Sequence, residues 1–243
     1  MGKTIIQQAR GHGSLTYRVR RKAFLHRLRY LDANMGGEGE IINLIHSTGH
    51  SAPIAKVKLG NFTFYNAAAD GLFIGKKVLI GNIGNHGENI GNIVKLKEIP
   101  TKIPIFNIES MPNDGGKFIK TAGSSAVITK KEDGKVYVLM PSKKEKIFNE
   151  DCRATIGTIS GSGRHEKPIV KAGKMHFIRK SRNKFWPRTS AVKVNAIDHP
   201  FGSGRGKNLS HGILGKIPKR NAPPGAKVGS VRARRTGKRK GGK

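Results

Sequence analysis

The sequence predicts a mainly β protein: an OB-like barrel, a second small barrel, and basic, irregular extensions at the two ends. Three observations carry that expectation. Short β-branched runs recur between turn residues over roughly residues 40–160. Apolar residues reach only 36% while glycine accounts for 32 of 243 residues, a balance that favours short strands and many turns. Positive charge gathers outside the strand-bearing middle.

The first strand set begins with EIINLIHS (40–47). IAKVKLG (54–60) sets Ala55, Val57 and Leu59 against Lys56 and Lys58, the period-2 mark of a half-buried strand. FTFYNAA (62–68), KKVLIG (76–81) and NIVKLKEI (92–99) follow at short spacing, as a small closed barrel requires. IPTKIPIFNIESMPNDGGK, with its proline and glycine punctuation, reads as a connector. The second set comprises SSAVITK (124–130), KVYVLMP (135–141), KEKIFNE (144–150) and RATIGTIS (153–160). Asp133-Gly134 between its first two members is a strong hairpin signal. A helix is expected near Arg18–Leu31, where Val19, Phe24, Leu28 and Leu31 could share a face. Past Ser160 apolar anchors thin out. From His199 to Lys243 there are 13 basic residues and no acid, too little apolar surface to offset the entropy of ordering.

The net charge is +32, and its distribution is uneven. Residues 1–31 carry eight basic and no acidic residues, 32–151 carry 15 and 13, and 152–243 carry 24 and two. Self-repulsion on that scale calls for a polyanion, of which nucleic acid is the usual one. A membrane surface fits less well, since no basic amphipathic helix with a broad apolar face is visible. No apolar run reaches the roughly 18 residues of a span, and the opening MGKTIIQQARGHG does not read as a signal peptide. The single Cys152 excludes an intrachain disulfide and a multi-cysteine zinc site.

The stretch NAIDHPFGSGRGKNLSHG (195–212) is the sharpest invitation to read an active site. Asp198 could orient His199 as a general base, but neighbours in sequence seldom meet that way, and no nucleophile or oxyanion donors accompany them. A turn-stabilising Asp198 and an RNA-contacting His199 fit better. Gly202, Gly204 and Gly206 neither follow a buried strand nor open a helix, so they miss the phosphate-loop context; a flexible linker and a backbone free to approach a polyanion remain as readings. His46 and His50 lack a third ligand and the helix that would align them. No cofactor and no protein-held metal is expected, while Mg²⁺ or K⁺ bridging protein to RNA phosphate is left open. Lys184-Phe185-Trp186-Pro187-Arg188 interleaves aromatic and basic residues, with Trp186 either stacking on a base or plugging a core.

Several stretches resemble the universal large-subunit ribosomal protein two family, in its archaeal form with a short amino-terminal extension. They are Gly13-Ser14, Thr16-Tyr17-Arg18, Asn107-Ile108-Glu109, Pro112, Gly115-Gly116, Ala122 through Ala126, Cys152 through Gly157, Ala172-Gly173-Lys174, Trp186-Pro187-Arg188 and Asn195 through Gly202. They span nearly the whole chain in order. Ser190, Ala191 and Val194 depart from the family's usual Arg-Gly pair and Met, and Ser203 interrupts its three glycines. The resemblance implies an OB-fold barrel followed by an SH3-like barrel, hence an arm over 1–36, an OB-like barrel over 37–100, a connector and SH3-like barrel over 101–170, and a basic extension over 171–243. It also implies a cytoplasmic, ribosomal, non-enzymatic protein that binds large-subunit rRNA and neighbouring ribosomal proteins. Its loop around Asp198-His199 would approach the peptidyl-transferase region and support subunit association and tRNA placement, with no membrane and no homo-oligomer.

The expected rRNA contacts at the amino-terminal end are Arg10, His12, Arg18, Arg20, Arg21, Lys22 and Arg27. Further along they are Arg153, Arg164, Lys171, Lys174, Arg179, Arg182, Lys184, Trp186 and Arg188. Asn195, His199, Gly202, Arg205 and Lys207 follow in the loop, and Arg232, Arg234 and Arg235 in the tail. Two alternatives stand beside this reading. A general nucleic-acid chaperone or compacting protein would bind unrelated duplexes as well as rRNA; an RNA-modifying enzyme would lose turnover, not binding, on replacement of His199.

Overall fold

A computed structural model of the chain describes residues 3–19, 23–81, 89–199 and 201–202. The chain divides into two units, Arg20–Lys171 and the pair of segments Met1–Val19 with Ala172–Lys243. Among the described residues, the first unit carries every strand. They are β1 (Gly37–Ile45), β2 (Ile54–Leu59), β3 (Phe62–Ala67), β4 (Lys77–Ile80), β5 (Ile93–Lys95), β6 (Pro104–Phe106), β7 (Ala126–Glu132), β8 (Lys135–Leu139), β9 (Glu145–Asn149) and β10 (Arg153–Ile156).

The ten strands form one sheet in the order β3-β2-β1-β4-β5-β10-β6-β7-β8-β9. All pairings are antiparallel except the single β4–β5 contact, Ile80 opposite Ile93. The two strand sets read from the sequence are therefore stitched together by β10, which pairs β5 on one side and β6 on the other. All four β10 residues are buried, as expected of a strand covered on both faces. β6 lies inside the expected connector; its Pro104 is tolerated because it opens the strand. Asp133 and Gly134 have φ of +47° and +72° and close the β7–β8 hairpin, as that dipeptide requires.

The core of this unit falls into apolar clusters. One gathers Leu96, Ile99, Ile105, Ile108, Ile128 and Val138 with Phe148 and Cys152. Another packs Ile41, Val57, Phe64, Val78, Ile80 and Ile93 around Tyr30. Each fully buried Ile or Leu contributes about 1.5–3 kcal/mol over its exposed state.

The expected helix over 18–31 is not found among its described residues, which include a turn at Ala23-Phe24 and bridges to Tyr65 at Leu28 and Arg29. Leu28 and Tyr30 are buried while Arg27 and Arg29 face out, a period of two rather than 3.6. The Arg29 N–H donates to the Tyr65 carbonyl at 3.2 Å and the Tyr30 N–H to the Gly115 carbonyl at 3.1 Å. The segment thus covers the open edge of β3, and the tertiary partners override the helical spacing of its apolar residues. Helices occur elsewhere, at α1 (Ile6–Gly11) and α2 (Ala172–Ser181), inside the extensions read as irregular.

A polar network crosses the seam between the two strand sets. The Tyr30 hydroxyl donates to the Asn107 carbonyl at 2.7 Å and therefore accepts the Thr155 hydroxyl at 2.6 Å. Asn66 donates to Thr155 at 2.9 Å, and Asn107 to Asn66 at 2.9 Å. Burial pushes the Tyr30 phenol well above its ordinary pKa, so it serves as a fixed donor. Beside it, Glu109 and Arg153 form a buried ion pair, Nη2 to Oε1 at 2.8 Å. Glu109 also accepts from the backbone N–H groups of Arg153 and Gly115, while Arg153 Nη1 reaches the Leu31 carbonyl at 2.8 Å.

Two predictions follow from this seam. Glu109→Ala leaves a guanidinium buried without its partner and should cost about 3–5 kcal/mol, read by chemical denaturation; the double replacement E109L/R153M should recover much of that. At Gly116, φ is +86° and an added Cβ would stand 2.4 Å from Asn107 Oδ1, whereas at Gly134, φ +72°, nothing lies within 4 Å. Gly116→Ala should therefore cost well over the ~1 kcal/mol expected of Gly134→Ala; equal losses would refute the close approach.

Candidate nucleic-acid interface

The unit formed by the two terminal segments is built on little apolar material. Helix α2 has no buried residue, and Phe177 is 68% exposed on it. Its basic side chains Lys174, Arg179 and Lys180 are exposed too. A helix without a fully buried side chain gains little packing energy of its own. Its end is well defined nonetheless. Lys184 N–H donates to the Arg179 carbonyl at 2.8 Å and Asn183 N–H to the Lys180 carbonyl at 3.0 Å, with Asn183 left-handed at φ +49°. This is a Schellman-type stop with asparagine in place of glycine. The Asn183 side chain then donates to the carbonyls of Leu15 and Arg18, tying the amino-terminal arm to the end of α2.

The arm is also joined to the Asp198-His199 loop. The Lys3 N–H donates to the Ile197 carbonyl at 2.8 Å, and Lys3 Nζ lies 3.6 Å from Asp198 Oδ1. Ile5, 1% exposed, anchors the start of α1. Both side chains of the Lys3–Asp198 pair are substantially exposed, so the pair contributes little energy and the backbone bond does most of the joining.

The loop itself is a tight turn. Asp198 and His199 N–H groups donate to the Asn195 carbonyl at 3.0 and 3.2 Å, and Gly202 N–H to the His199 carbonyl at 3.0 Å. The Phe201 N–H donates to His199 Nδ1 at 3.1 Å, and the two rings meet edge to face at 4.9 Å. Nδ1 is thereby an acceptor, so the imidazole is neutral with its proton on Nε2. Burial lowers the His199 pKa below its ordinary value in the same sense. Asp198 turns to Lys3 rather than to His199, so the carboxylate–imidazole pair that an enzyme would need is not assembled. Gly202 is demanded by the turn: a Cβ there would stand 2.3 Å from the Val194 carbonyl oxygen and 2.5 Å from that of Asn195.

The other expected contact residues separate by place. Arg10, at the last turn of α1, is exposed, as are His12, Arg18 and Arg188, while Arg182 and Trp186 are half-buried. Lys184 is exposed. In the strand-bearing unit Arg27, Arg164 and Lys171 are exposed. Arg153 is a correction. Its side chain is 4% exposed and its guanidinium is occupied by Glu109 and the Leu31 carbonyl, so it serves the seam and does not face a phosphate. Arg20, Arg21, Lys22, Arg205, Lys207, Arg232, Arg234 and Arg235, with Gly204 and Gly206, lie outside the described residues. Sequence reasoning passed over Lys3, Ile5 and Asn183; only an asparagine just beyond a basic helical stretch could have signalled the last of them.

Among the described residues no group of three or more His, Cys, Asp or Glu could hold a metal ion. His50 Nδ1 is engaged by the Ser47 hydroxyl at 2.8 Å, and its ring meets Phe24 edge on. No helix among the described residues is long and apolar enough to cross a membrane.

The family model for "Ribosomal Proteins L2, C-terminal domain" matches residues 89–223. The chain is 44% identical over 245 residues to the large ribosomal subunit protein uL2 of Archaeoglobus fulgidus, covering 99% of this chain and 100% of that one. It is 41% identical over 253 residues to that of Methanocaldococcus jannaschii, again 99% and 100%. With that of Methanoculleus marisnigri it shares 44% identity over 241 residues, 98% and 99% of the two chains.

The loop geometry predicts how His199 titrates. Because its folded pKa is depressed, the unfolded chain binds more protons as pH falls below the ordinary value of about 6.5. The turn should hold above that value and loosen below it. Ring-proton and nitrogen NMR should show the Nε2–H tautomer at pH 7 and a midpoint below that of a free histidine; an ordinary midpoint would contradict the buried Nδ1 bond.

Proposed function

The chain belongs to the family of the large ribosomal subunit protein uL2, and we propose that its two terminal segments fold onto large-subunit rRNA while the strand-bearing unit serves as a rigid platform. It is a structural constituent of the large ribosomal subunit, not an enzyme, and acts in the cytoplasm within ribosomes. The observation that carries the rRNA reading is α2: a helix with exposed basic side chains, an exposed Phe177 and nothing buried, in a unit whose described residues include a single acid, Asp198. Cationic surface without a core of its own gains its stability from a polyanionic partner.

In this reading Arg10, Arg18, Arg179 and Arg188 grip phosphates or stack on exposed bases, and Lys174 and Lys184 neutralise charge less directionally. The phosphate contacts fix position, and fit to folded RNA supplies specificity. The Asp198-His199 turn approaches the peptidyl-transferase region as architecture, with subunit association and tRNA placement as its consequences. His199 offers Nε2–H as a donor in that role. Residues 37–100 and 101–170 serve as the OB-like and SH3-like halves of the platform, and neighbouring ribosomal proteins dock beside them.

Affinity of the full chain for large-subunit rRNA should fall about 10³–10⁵-fold between roughly 50 and 200 mM salt if roughly 6–10 phosphates are neutralised, on the duplex-DNA scale. Binding to an unrelated duplex should be far weaker. A nearly flat salt response would sink the proposal, and equal affinity for the unrelated duplex would favour a general nucleic-acid chaperone.

A further inference from the structure

Within the unit of the two terminal segments a cleft of about 680 Å³ opens beside the Asp198-His199 turn. Ile6, Phe185, Ala191 and Val194 line it with apolar surface. Lys3 and Arg188 add two cations, and both are exposed. Asp198 and His199 complete it with an acceptor and, because Nδ1 is occupied, an Nε2–H donor. We propose that this cleft receives one unstacked RNA nucleotide, its base against Phe185 and its phosphate between Lys3 and Arg188.

The inference rests on the rRNA-binding reading and deepens it. The cleft volume lies within the range of sites that enclose a small ligand, and a base with its sugar is of that size. Phe185 is 43% exposed, so its ring is available for stacking. Two cations beside apolar walls complement a phosphate attached to a flat, uncharged ring. Asp198 does not spoil this complement. Its Oδ1 faces Lys3, and the carboxylate can accept a base N–H while His199 donates to a neighbouring base acceptor. The amino-terminal arm is part of the site, since Lys3 is held there by its backbone bond to Ile197.

The test is ultraviolet irradiation of intact large subunits containing the full chain, with mass spectrometry of the nucleotide-bearing peptides. A mononucleotide adduct should appear on Phe185 or His199. Ala191→Trp, which fills the cleft, and Phe185→Ala, which removes the stacking face without filling it, should each lower affinity for large-subunit rRNA about 5- to 150-fold, the worth of one stacked base. Thermal melting and weak binding to an unrelated duplex should stay as in the parent. Should Ala191→Trp fail to fold, the Phe185 replacement decides. Adducts confined to α2 or the arm, with parental affinity in the variants, would overturn the cleft while leaving the rRNA reading intact. A peptide of another protein cross-linked at Phe185 would overturn it as well. Failure of the parent chain to bind rRNA at all would instead remove the reading beneath it.

Discussion

The strand-bearing unit depends on a polar seam that admits few alternatives. Tyr30, Asn66, Asn107 and Thr155 come from four separate stretches of chain and hydrogen-bond to one another in the buried seam, with Asn107 Oδ1 finding no partner among the described residues. Breaking any one of them strands a buried donor or acceptor, at about 1–3 kcal/mol each. Glu109 and Arg153 extend the constraint. An ion pair out of water tolerates little displacement, so it holds β10 against the Glu109 stretch and the Leu31 backbone in one arrangement. The close approach of Gly116 to Asn107 belongs to the same constraint, since a side chain there would occupy the space of the amide.

That seam explains how two small strand sets make one rigid body. Neither set alone has a large core, and small cores are marginal. Inserting β10 between β5 and β6 merges them into a continuous sheet, with fully buried isoleucines on either side of the join. Charge is handled separately. The middle of the sequence, 15 basic and 13 acidic residues over 32–151, is nearly neutral. Most of the basic surplus sits in the terminal segments, where α2 keeps Lys174, Arg179 and Lys180 exposed.

Much of the fold was legible because strand signals are local. The alternation in β2, the Asp133-Gly134 hairpin and the short spacing of the first five strands all emerge in the structure at nearly the expected positions. The failures have a common origin. The apolar residues of 18–31 can be fitted to a helical face, but Leu28 and Tyr30 find partners across β3 and in the seam, and pairing with Tyr65 decides the conformation. Arg153 reads in the sequence as one more cation in a basic region; only the fold reveals that Glu109, distant in the chain, closes on it. The Asp198-His199 pair is a different case. Adjacency in sequence already argued against cooperation between them, and the turn gives each residue a different partner.

By itself the sequence determined the mainly β class, the segregation of charge and, through stretches spread over the whole chain, the family. These properties are written in composition, in period-2 alternation and in linear motifs, none of which needs a distant contact to be read. The tertiary structure alone decided which polar residues are spent on the fold and which remain for a partner. Arginines at 153 and 188 are the same side chain in the sequence; burial against a carboxylate withdraws the first, and a place at the mouth of a cleft leaves the second free. That distinction depends on solvent exclusion, which is a property of packed neighbours and has no linear signature.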